Sequence, residues 1–197
     1  FGFNGGSAVA ADSSAAMAIL VTHISAAVGA LTWMTVEWVK TGKPTVVGIA
    51  TGMVAGLATI TPASGTVGPQ GALLIGLLAG LICFYATQMI KGFFKIDDSL
   101  DVFPVHGVGG ILGILMLAFI GKPDGFLGAG AAGFDPSVFD QFMIQFQGVV
   151  VICLWTLVFS WVALKITSML ADLRVSNESE YEGLDLTEHN ESGYHSS

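Results

Sequence analysis

The two candidate functional residues Asp101 and His106 lie in one largely apolar stretch, Asp97–Gly113, which reads DDSLDVFPVHGVGGILG. A neutral imidazole offers one donor and one acceptor nitrogen, so His106 could pass a proton or bind a small nitrogen compound. Ionisable groups inside membrane spans are costly and usually functional, although His106 could also be a neutral core histidine bonded to a carbonyl. Asp101 could be a functional acid or a helix-capping residue, with Asp98 and Ser99 as competing caps.

Three glycines follow His106 at helical spacing, at positions 109, 110 and 113. Residues at i+3, i+4 and i+7 share one helical face. Bare backbone there leaves room either for a small species to pass or for a neighbouring helix to pack closely, and we favour passage beside His106. Glycines at four-residue spacing in the other apolar runs favour close helix packing instead: Gly48, Gly52, Gly56, Gly76 and Gly80.

A second group of candidates opens the chain, where Phe1 and Phe3 precede Ser7. Aromatic faces attract cations, and a hydroxyl can accept a hydrogen bond from one, which would suit an ammonium-sized ion. Aromatic residues are also ordinary at a membrane interface. His23 lies in the middle of an apolar run, where a helix-packing role is favoured over a second pore histidine.

The elements that must position these residues are membrane helices. The 197 residues are 53% hydrophobic and 11% charged, whereas soluble domains carry about 25% charged residues. A soluble all-helical bundle is therefore disfavoured. Seven of the 15 acidic residues lie from Asp172 onward, so the net charge of -8 belongs to a tail. Cys83 and Cys153 predict buried, unpaired thiols.

We predict an all-α polytopic membrane protein with a membrane part at 1–172 and a tail at 173–197. The fifth span approaches 50 Å at about 1.5 Å per residue, so it should tilt, bend or project from the bilayer. No nucleotide-binding, hydrolase or metallopeptidase motif occurs, which predicts no enzyme activity, cofactor or metal site, and we expect no nucleic acid partner. The five predicted spans begin and end near Ser7–Trp38, Thr45–Ile60, Pro69–Ile90, Leu100–Ile120 and Phe139–Ala171.

Loop charges predict the orientation of these spans. Lys122, in the loop Gly121–Pro136, is the one basic residue assigned to the opposite side. The positive-inside rule then places the tail in the cytoplasm and this loop outside. The basic residues on the predicted cytoplasmic side are Lys40, Lys43, Lys91, Lys95 and Arg174.

Taken together, four stretches resemble the Amt/Mep/Rh ammonium transporter family, in particular its Amt branch. The resemblance implies eleven helices in two inverted five-helix repeats, in a homotrimer with one pore per subunit in the cell membrane. This chain would be the end of the sixth helix through the eleventh, and we expect it to be a portion of a longer protein. The stretches are FGFNGGS (1–7), EWVKTGKPTVVGIATGMVAGLATITPASG (37–65), DDSLDVFPVHGVGGILG (97–113) and LRVSNESEYEGLDLTEHNESGY (173–194).

The same resemblance implies roles for individual residues. His106 matches the second of two pore histidines, and Phe3 matches one of two stacked phenylalanines that close the outer pore. Ser7 matches the serine of the ammonium recruitment site, beside Phe1, and Asp101 matches an acid near the inner end. The first pore histidine, the other gate phenylalanine and the remaining recruitment residues belong to the first repeat. We therefore expect these 197 residues alone not to form a working pore.

The implied function is transport of ammonium or ammonia through a histidine-lined hydrophobic pore, with deprotonation at an outer site. The alternatives are an ammonium sensor that signals through its tail, an Rh-like gas channel and a structural bundle without a pore. In the family the tail docks on the cytoplasmic face, and PII-type signal proteins bind nearby. Gly183 lies in the EGLD-like turn and Thr187 at a phosphorylation position of plant relatives. Without the resemblance, a disordered acidic segment is favoured for the tail.

Overall fold

The structure is a computed structural model that describes residues 1–121 and 137–192. Lys122 and most of the loop Gly121–Pro136 lie outside the described residues, as does the end of the tail. The described residues form eight α-helices: α1 Gly2–Gly6, α2 Ser13–Thr41, α3 Val46–Ile60, α4 Pro69–Gln88, α5 Gly109–Ile120, α6 Val138–Leu170, α7 Asn177–Glu182 and α8 Leu184–Thr187.

Short irregular helices extend three of these elements. A 3-10 turn, Thr61–Ala63, follows α3, a π-helical segment, Met89–Phe93, follows α4, and another, Phe103–Val108, leads into α5. With these extensions, five helices are long and apolar enough to cross a membrane, which confirms the predicted all-α polytopic class. Their bounds are Ser13–Thr41, Val46–Ala63, Pro69–Phe93, Phe103–Ile120 and Val138–Leu170.

The predicted start of the first span at Ser7 is wrong. Ser7 follows the last turn of α1, and its backbone N–H donates to the carbonyl of Phe3. The long helix α2 begins at Ser13 because Asp12 caps it: the Asp12 carboxylate accepts from the N–H of Ser14 at 2.9 Å and of Ala15 at 3.1 Å. These bonds satisfy donors that a helix N-terminus otherwise leaves unpaired.

The chain divides into two compact units, Phe1–Val149 and Val150–Ser197. The first unit contains α1 to α5 and the beginning of α6, and the second contains the rest of α6 and the tail. The functional division into a membrane part and a tail at residue 173 remains a prediction.

Glycines bring the helices of the first unit into backbone contact. A Cβ on Gly76 of α4 would lie 2.6 Å from the Ser25 carbonyl oxygen of α2, and one on Gly80 would lie 2.8 Å from the Gly29 oxygen. The Ser25 hydroxyl donates to the Gly56 carbonyl of α3 at 2.9 Å in the buried interior. Small residues and buried polar bonds of this kind hold membrane helices together where the hydrophobic effect cannot.

In the second unit, the side chains of α6 from Val150 onward are exposed. The rings of Trp155 and Phe159 stack with centroids 4.0 Å apart. Cys153 is consequently an exposed thiol, so the prediction of two buried cysteines holds for Cys83 and is wrong for Cys153. Both cysteines are free, as predicted.

Candidate functional site

The helix that carries His106 begins with a double cap. The Asp98 carboxylate accepts from the N–H of Val102 at 2.9 Å and of Phe103 at 2.8 Å, one oxygen for each donor. Of the acids considered as caps, the structure therefore assigns this role to Asp98 and not to Asp101. Pro104, which has no N–H, follows within the π-helical segment and is fully buried. A proline removes a helical donor and so favours local departure from α-helical bonding.

His106 opens onto a cleft of about 320 Å³ in the first unit. Phe1 and Phe3 line the same cleft, so the structure brings together three of the residues singled out from the sequence. The walls come from α1, α2, α3 and the π-helical segment Phe103–Val108, and they are largely apolar. The lining residues are Phe1, Phe3, Asn4, Thr22, Val54, Leu57, Ala58, Thr61 and His106.

Asn4 is a polar cleft residue that the sequence analysis missed. Its side-chain amide donates to the Thr22 hydroxyl at 2.9 Å, and both residues are buried. The bond ties α1 to α2 directly beside the aromatic rings of Phe1 and Phe3. In the sequence, Asn4 lies between Phe3 and two glycines. A side-chain amide in such an apolar segment has no water to bond with and needs a partner within the protein, which is the signal that could have identified it.

His23 is exposed rather than buried between helices, so the packing role favoured from the sequence is wrong within the described residues. Its ring lies 5.8 Å, centroid to centroid, from the ring of Phe1. Phe1 therefore contacts the imidazole of His23 on α2. It also lines the cleft onto which the imidazole of His106 opens.

Ser7 is not among the residues that line the cleft with His106. It is exposed, and its hydroxyl donates to the Phe3 carbonyl at 2.7 Å. This bond keeps Ser7 one helical turn from Phe3, at the end of α1. The hydroxyl oxygen can still accept a hydrogen bond there.

The glycine strip after His106 serves helix packing, not passage, at Gly109 and Gly113. A Cβ on Gly109 would lie 2.8 Å from the Thr59 hydroxyl oxygen, and one on Gly113 would collide with the Thr59 carbonyl. The predicted common face is broken because the π-helical segment has more residues per turn than the 3.6 assumed from the sequence. Of the three glycines, only Gly110 has open space around the position of a Cβ.

Asp101 forms an ion pair instead of a cap. Its Oδ1 lies 2.7 Å from Nζ of Lys91, and the side chains are 17% and 40% exposed, respectively. Asp101 also adopts a left-handed backbone conformation with φ of 55°, which few residues other than glycine, asparagine and aspartate adopt readily. The pair joins the two π-helical segments.

The ends of α2 and α4 lie together, which brings two of the predicted cytoplasmic loops to one end of the unit. Nζ of Lys40 lies 4.3 Å from the ring centroid of Tyr85, within cation–π range. Lys91 follows Tyr85 by six residues along the same helix and its π-helical extension. This agrees with the predicted grouping of these lysines on one side of a membrane, while the identity of that side remains a prediction.

In the second unit, the tail contains a glycine-dependent turn. Gly183 separates α7 from α8 with φ of 100°, a conformation that suits glycine. The exposed Thr187 donates its hydroxyl to the Gly183 carbonyl at 3.2 Å. Arg174 makes two contacts, at 3.0 and 3.1 Å, with the Glu180 carboxylate. Residues 177–187 are therefore folded as two short helices rather than a structureless acidic segment.

The described residues contain five helices long and apolar enough to span a membrane, and three of them line the cleft that contains Phe1, Phe3 and His106. These features define a polytopic helical membrane protein. A sequence profile of the Ammonium Transporter Family matches residues 1–194. The chain belongs to the ammonium transporter family.

Known relatives agree over nearly the whole chain. The chain is 40% identical over 194 residues to a putative ammonium transporter of Methanothermobacter thermautotrophicus, which covers 98% of this chain and 48% of the relative. It is 41% identical over 195 residues to the ammonium transporter Amt1 of Archaeoglobus fulgidus, covering 98% and 48%. A solved structure described as a sensor Amt protein superposes with a TM-score of 0.83 at 31% identity, covering 95% of this chain and 45% of that one. The chain thus spans about half the length of these proteins.

Proposed function

We propose that the complete protein moves ammonium or ammonia across a membrane, and that the cleft beside His106 is part of its path. The observation that carries this proposal is the convergence of Phe1, Phe3 and His106 on one apolar cleft in a multi-pass membrane protein of this family. Relatives that share about 40% of the sequence are named ammonium transporters. Aromatic ring faces attract ammonium, and an imidazole exchanges hydrogen bonds with ammonia.

In the proposed mechanism, ammonium first meets α1, where Phe1 and Phe3 lie at the start of the helix and Ser7 at its end. The ring faces attract the cation by about 0.5–2 kcal/mol, depending on desolvation, and the Ser7 oxygen accepts a hydrogen bond from it. This attraction partly offsets the hydration that the ion loses. Phe3, which is 76% exposed in the cleft, has room to turn as an outer gate.

The cation then transfers its proton to a water molecule at the outer site, and neutral ammonia enters the apolar part of the cleft, because an uncompensated charge is very costly there. Neutral ammonia has one acceptor lone pair and three donors. It exchanges hydrogen bonds with the imidazole of His106 as it passes, and Asn4 is a second polar residue in the lining of the cleft. In this proposal, Asp101 marks the inner end of the path.

The assembly and its regulation are further parts of the proposal. The chain would supply the second inverted repeat and the final helix of a homotrimer in the plasma membrane, with the tail in the cytoplasm. The turn at Gly183 and the exposed Thr187 would form a docking surface for regulation, with a PII-type signal protein as the partner. The acidic side chains around Thr187 would repel an added phosphate and so release the tail.

The test is ammonium-evoked current and pH-detected ammonia flux in proteoliposomes that contain the complete gene product. His106→Ala should change the rate or admit larger cations, whereas His189→Ala, in the tail, should leave both unchanged. The 197-residue chain alone should carry no flux.

The outcomes separate the alternatives. A saturable current that depends on His106 supports electrogenic transport, and ammonia flux without current supports conduction of the neutral gas. If the His106 variant matches the original protein in rate and selectivity, His106 does not line the path. If neither signal occurs, transport is excluded and the sensor function becomes the better explanation.

A further inference from the structure

We propose that Lys91 and Asp101 are positioning residues that hold the imidazole of His106 at the cleft. The inference rests on the proposed function only where it gives His106 a part in transport. That Lys91 and Asp101 position the imidazole does not depend on the proposed function. It goes beyond the inner-pore acid expected at Asp101, because it assigns this carboxylate a partner and a mechanical role.

The first step of the argument is that the pair is partly shielded from solvent. Asp101 is 17% exposed, and its Oδ1, which faces Nζ of Lys91 at 2.7 Å, is buried. A carboxylate in this position needs a positive partner, since removal of Lys91 leaves the shielded Asp101 charge poorly solvated, whereas Lys91 itself is 40% exposed. The pair is therefore a specific link rather than one of many exchangeable surface contacts.

The second step is that the pair joins two irregular helical segments. Lys91 lies in the π-helical segment Met89–Phe93, and Asp101 directly precedes Val102, the last residue before the segment Phe103–Val108. Segments of this kind are less regular than α-helices and often occur at functional sites. An anchor at their junction fixes the entry of the chain into the helix that carries His106.

The third step is the conformation of the anchor. Asp101 has φ of 55°, and its carbonyl accepts from the N–H of Val105 at 3.0 Å, so the residue sets both the turn and the first helical bond. Asp98 fixes the next two donors, at Val102 and Phe103. His106 follows Asp101 by five residues, with the fully buried Pro104 between them. A shift at Asp101 is therefore transmitted along a short and rigid connection.

The experiment uses the complete gene product in lipid bilayers, labelled with 15N-histidine. Solid-state NMR follows the imidazole resonances of His106, assigned by their loss in His106→Ala, and His23 on α2 is the internal reference. The variants are Lys91→Met, Asp101→Asn and the exchange Lys91→Asp/Asp101→Lys. Lys43→Met is the matched control, because it removes a lysine that takes part in no ion pair of the described structure.

We expect each single variant to shift the His106 resonances while those of His23 stay in place. The maximum ammonium flux should fall by at least about tenfold, since a displacement of about 1 Å at a functional group can cost 10²-fold. The apparent KM should change little, because the outer aromatic site is untouched. The exchange variant should restore both signals towards those of the original protein, and Lys43→Met should alter neither.

His106 resonances that remain unchanged in both single variants would overturn the inference, even if flux fell. Lysine adopts the left-handed conformation of residue 101 less readily than aspartate, so the exchange counts only when it restores those resonances. If the single variants do not accumulate as folded protein, recovery of a folded exchange variant with the original His106 resonances supports the pair. Loss of those resonances in Lys91→Arg, which keeps the positive charge and leaves residue 101 unchanged, counts against it. If the resonances respond as expected in a protein that moves no ammonium, the positioning role stands and the proposed function fails.

Discussion

Asn4 donates its side-chain amide to the hydroxyl of Thr22 at 2.9 Å, and this buried bond joins the short first helix to the long second one. The helix α1 has only five residues, which is too short to be stable by its own backbone bonds. The bond to Thr22 therefore keeps Phe1 and Phe3 at the cleft.

Replacement of Asn4 by alanine should lower the free energy of unfolding by about 1 kcal/mol, the scale of buried hydrogen bonds in membrane proteins. Thr22→Val should cost a similar amount, and the double variant should cost less than the sum because the two groups act together. Unfolding in mixed detergent micelles measures these values. Ser7→Ala, which removes an exposed bond, is the control, and full additivity of the two changes would contradict the coupling.

A second prediction concerns the glycines after His106. Gly109→Ala should destabilise the bundle by about 1–3 kcal/mol, because the new methyl group would overpack the contact with Thr59 and Cys83. Gly110→Ala makes the same chemical change where nothing lies within 4 Å, so it should be neutral or slightly stabilising. Thermal unfolding of the two purified variants gives the comparison, and equal stabilities would show that Gly109 is not a packing site.

Phe3→Ala should weaken selection against larger cations. The ring lines the cleft. If the cleft is part of the proposed ammonium path, loss of the ring leaves room for an added methyl group, so the ratio of ammonium to methylammonium flux should fall by roughly tenfold. Competition of the two ions in proteoliposomes measures this ratio. Phe139→Ala removes another exposed ring that does not line the cleft, and a similar loss in that variant would indicate a general effect of aromatic residues on the membrane protein.

The turn at Gly183 should not tolerate a side chain. Gly183→Ala places a Cβ 2.7 Å from an oxygen of Asp185 in a backbone conformation with φ of 100°. A sparsely populated backbone conformation of this kind costs alanine about 1–3 kcal/mol by itself. Hydrogen exchange of residues 177–187 should become faster in this variant and remain unchanged in Gly148→Ala, whose surroundings are open. Equal protection in all three proteins would mean that the turn needs no glycine.

Thr187 offers a test of regulation by charge. Thr187→Glu adds a negative charge next to the acidic residues 185 and 188, and like-charge repulsion should displace the tail. Thr187→Gln has nearly the same shape without the charge. If the tail regulates transport, only the glutamate variant should change ammonium flux, by about twofold or more. An identical flux in both variants would remove the support for a charge switch at this residue.

Sequence alone predicted the class of fold and the number of spans, because apolar runs of membrane length leave few alternatives. It also selected three of the nine cleft residues: Phe1, Phe3 and His106. Asn4 was missed because its importance depends on Thr22, which is 18 residues away and recognisable only once two helices are packed together.

The errors share a physical origin. The start of α2 was placed too early because the composition of residues 7–12 is as small and apolar as that of the helix itself, and only the Asp12 cap marks the boundary. The glycine strip was misinterpreted because the spacing rule assumed α-helical geometry from His106 onward, whereas His106 lies in the π-helical segment Phe103–Val108. Lys91 lies at the end of one helix and its partner Asp101 before the start of the next. No local sequence pattern indicates that these two residues form an ion pair.

The unburied helix α6 has a consequence for biosynthesis. Its most apolar window has the highest mean hydropathy of the five spans, whereas that of the span containing α3 has the lowest and has 39% of its residues buried. A segment like α6 can leave the translocation machinery and enter lipid by itself. The third helix depends on neighbours that are made before and after it, so its stable insertion should wait until α4 has left the ribosome.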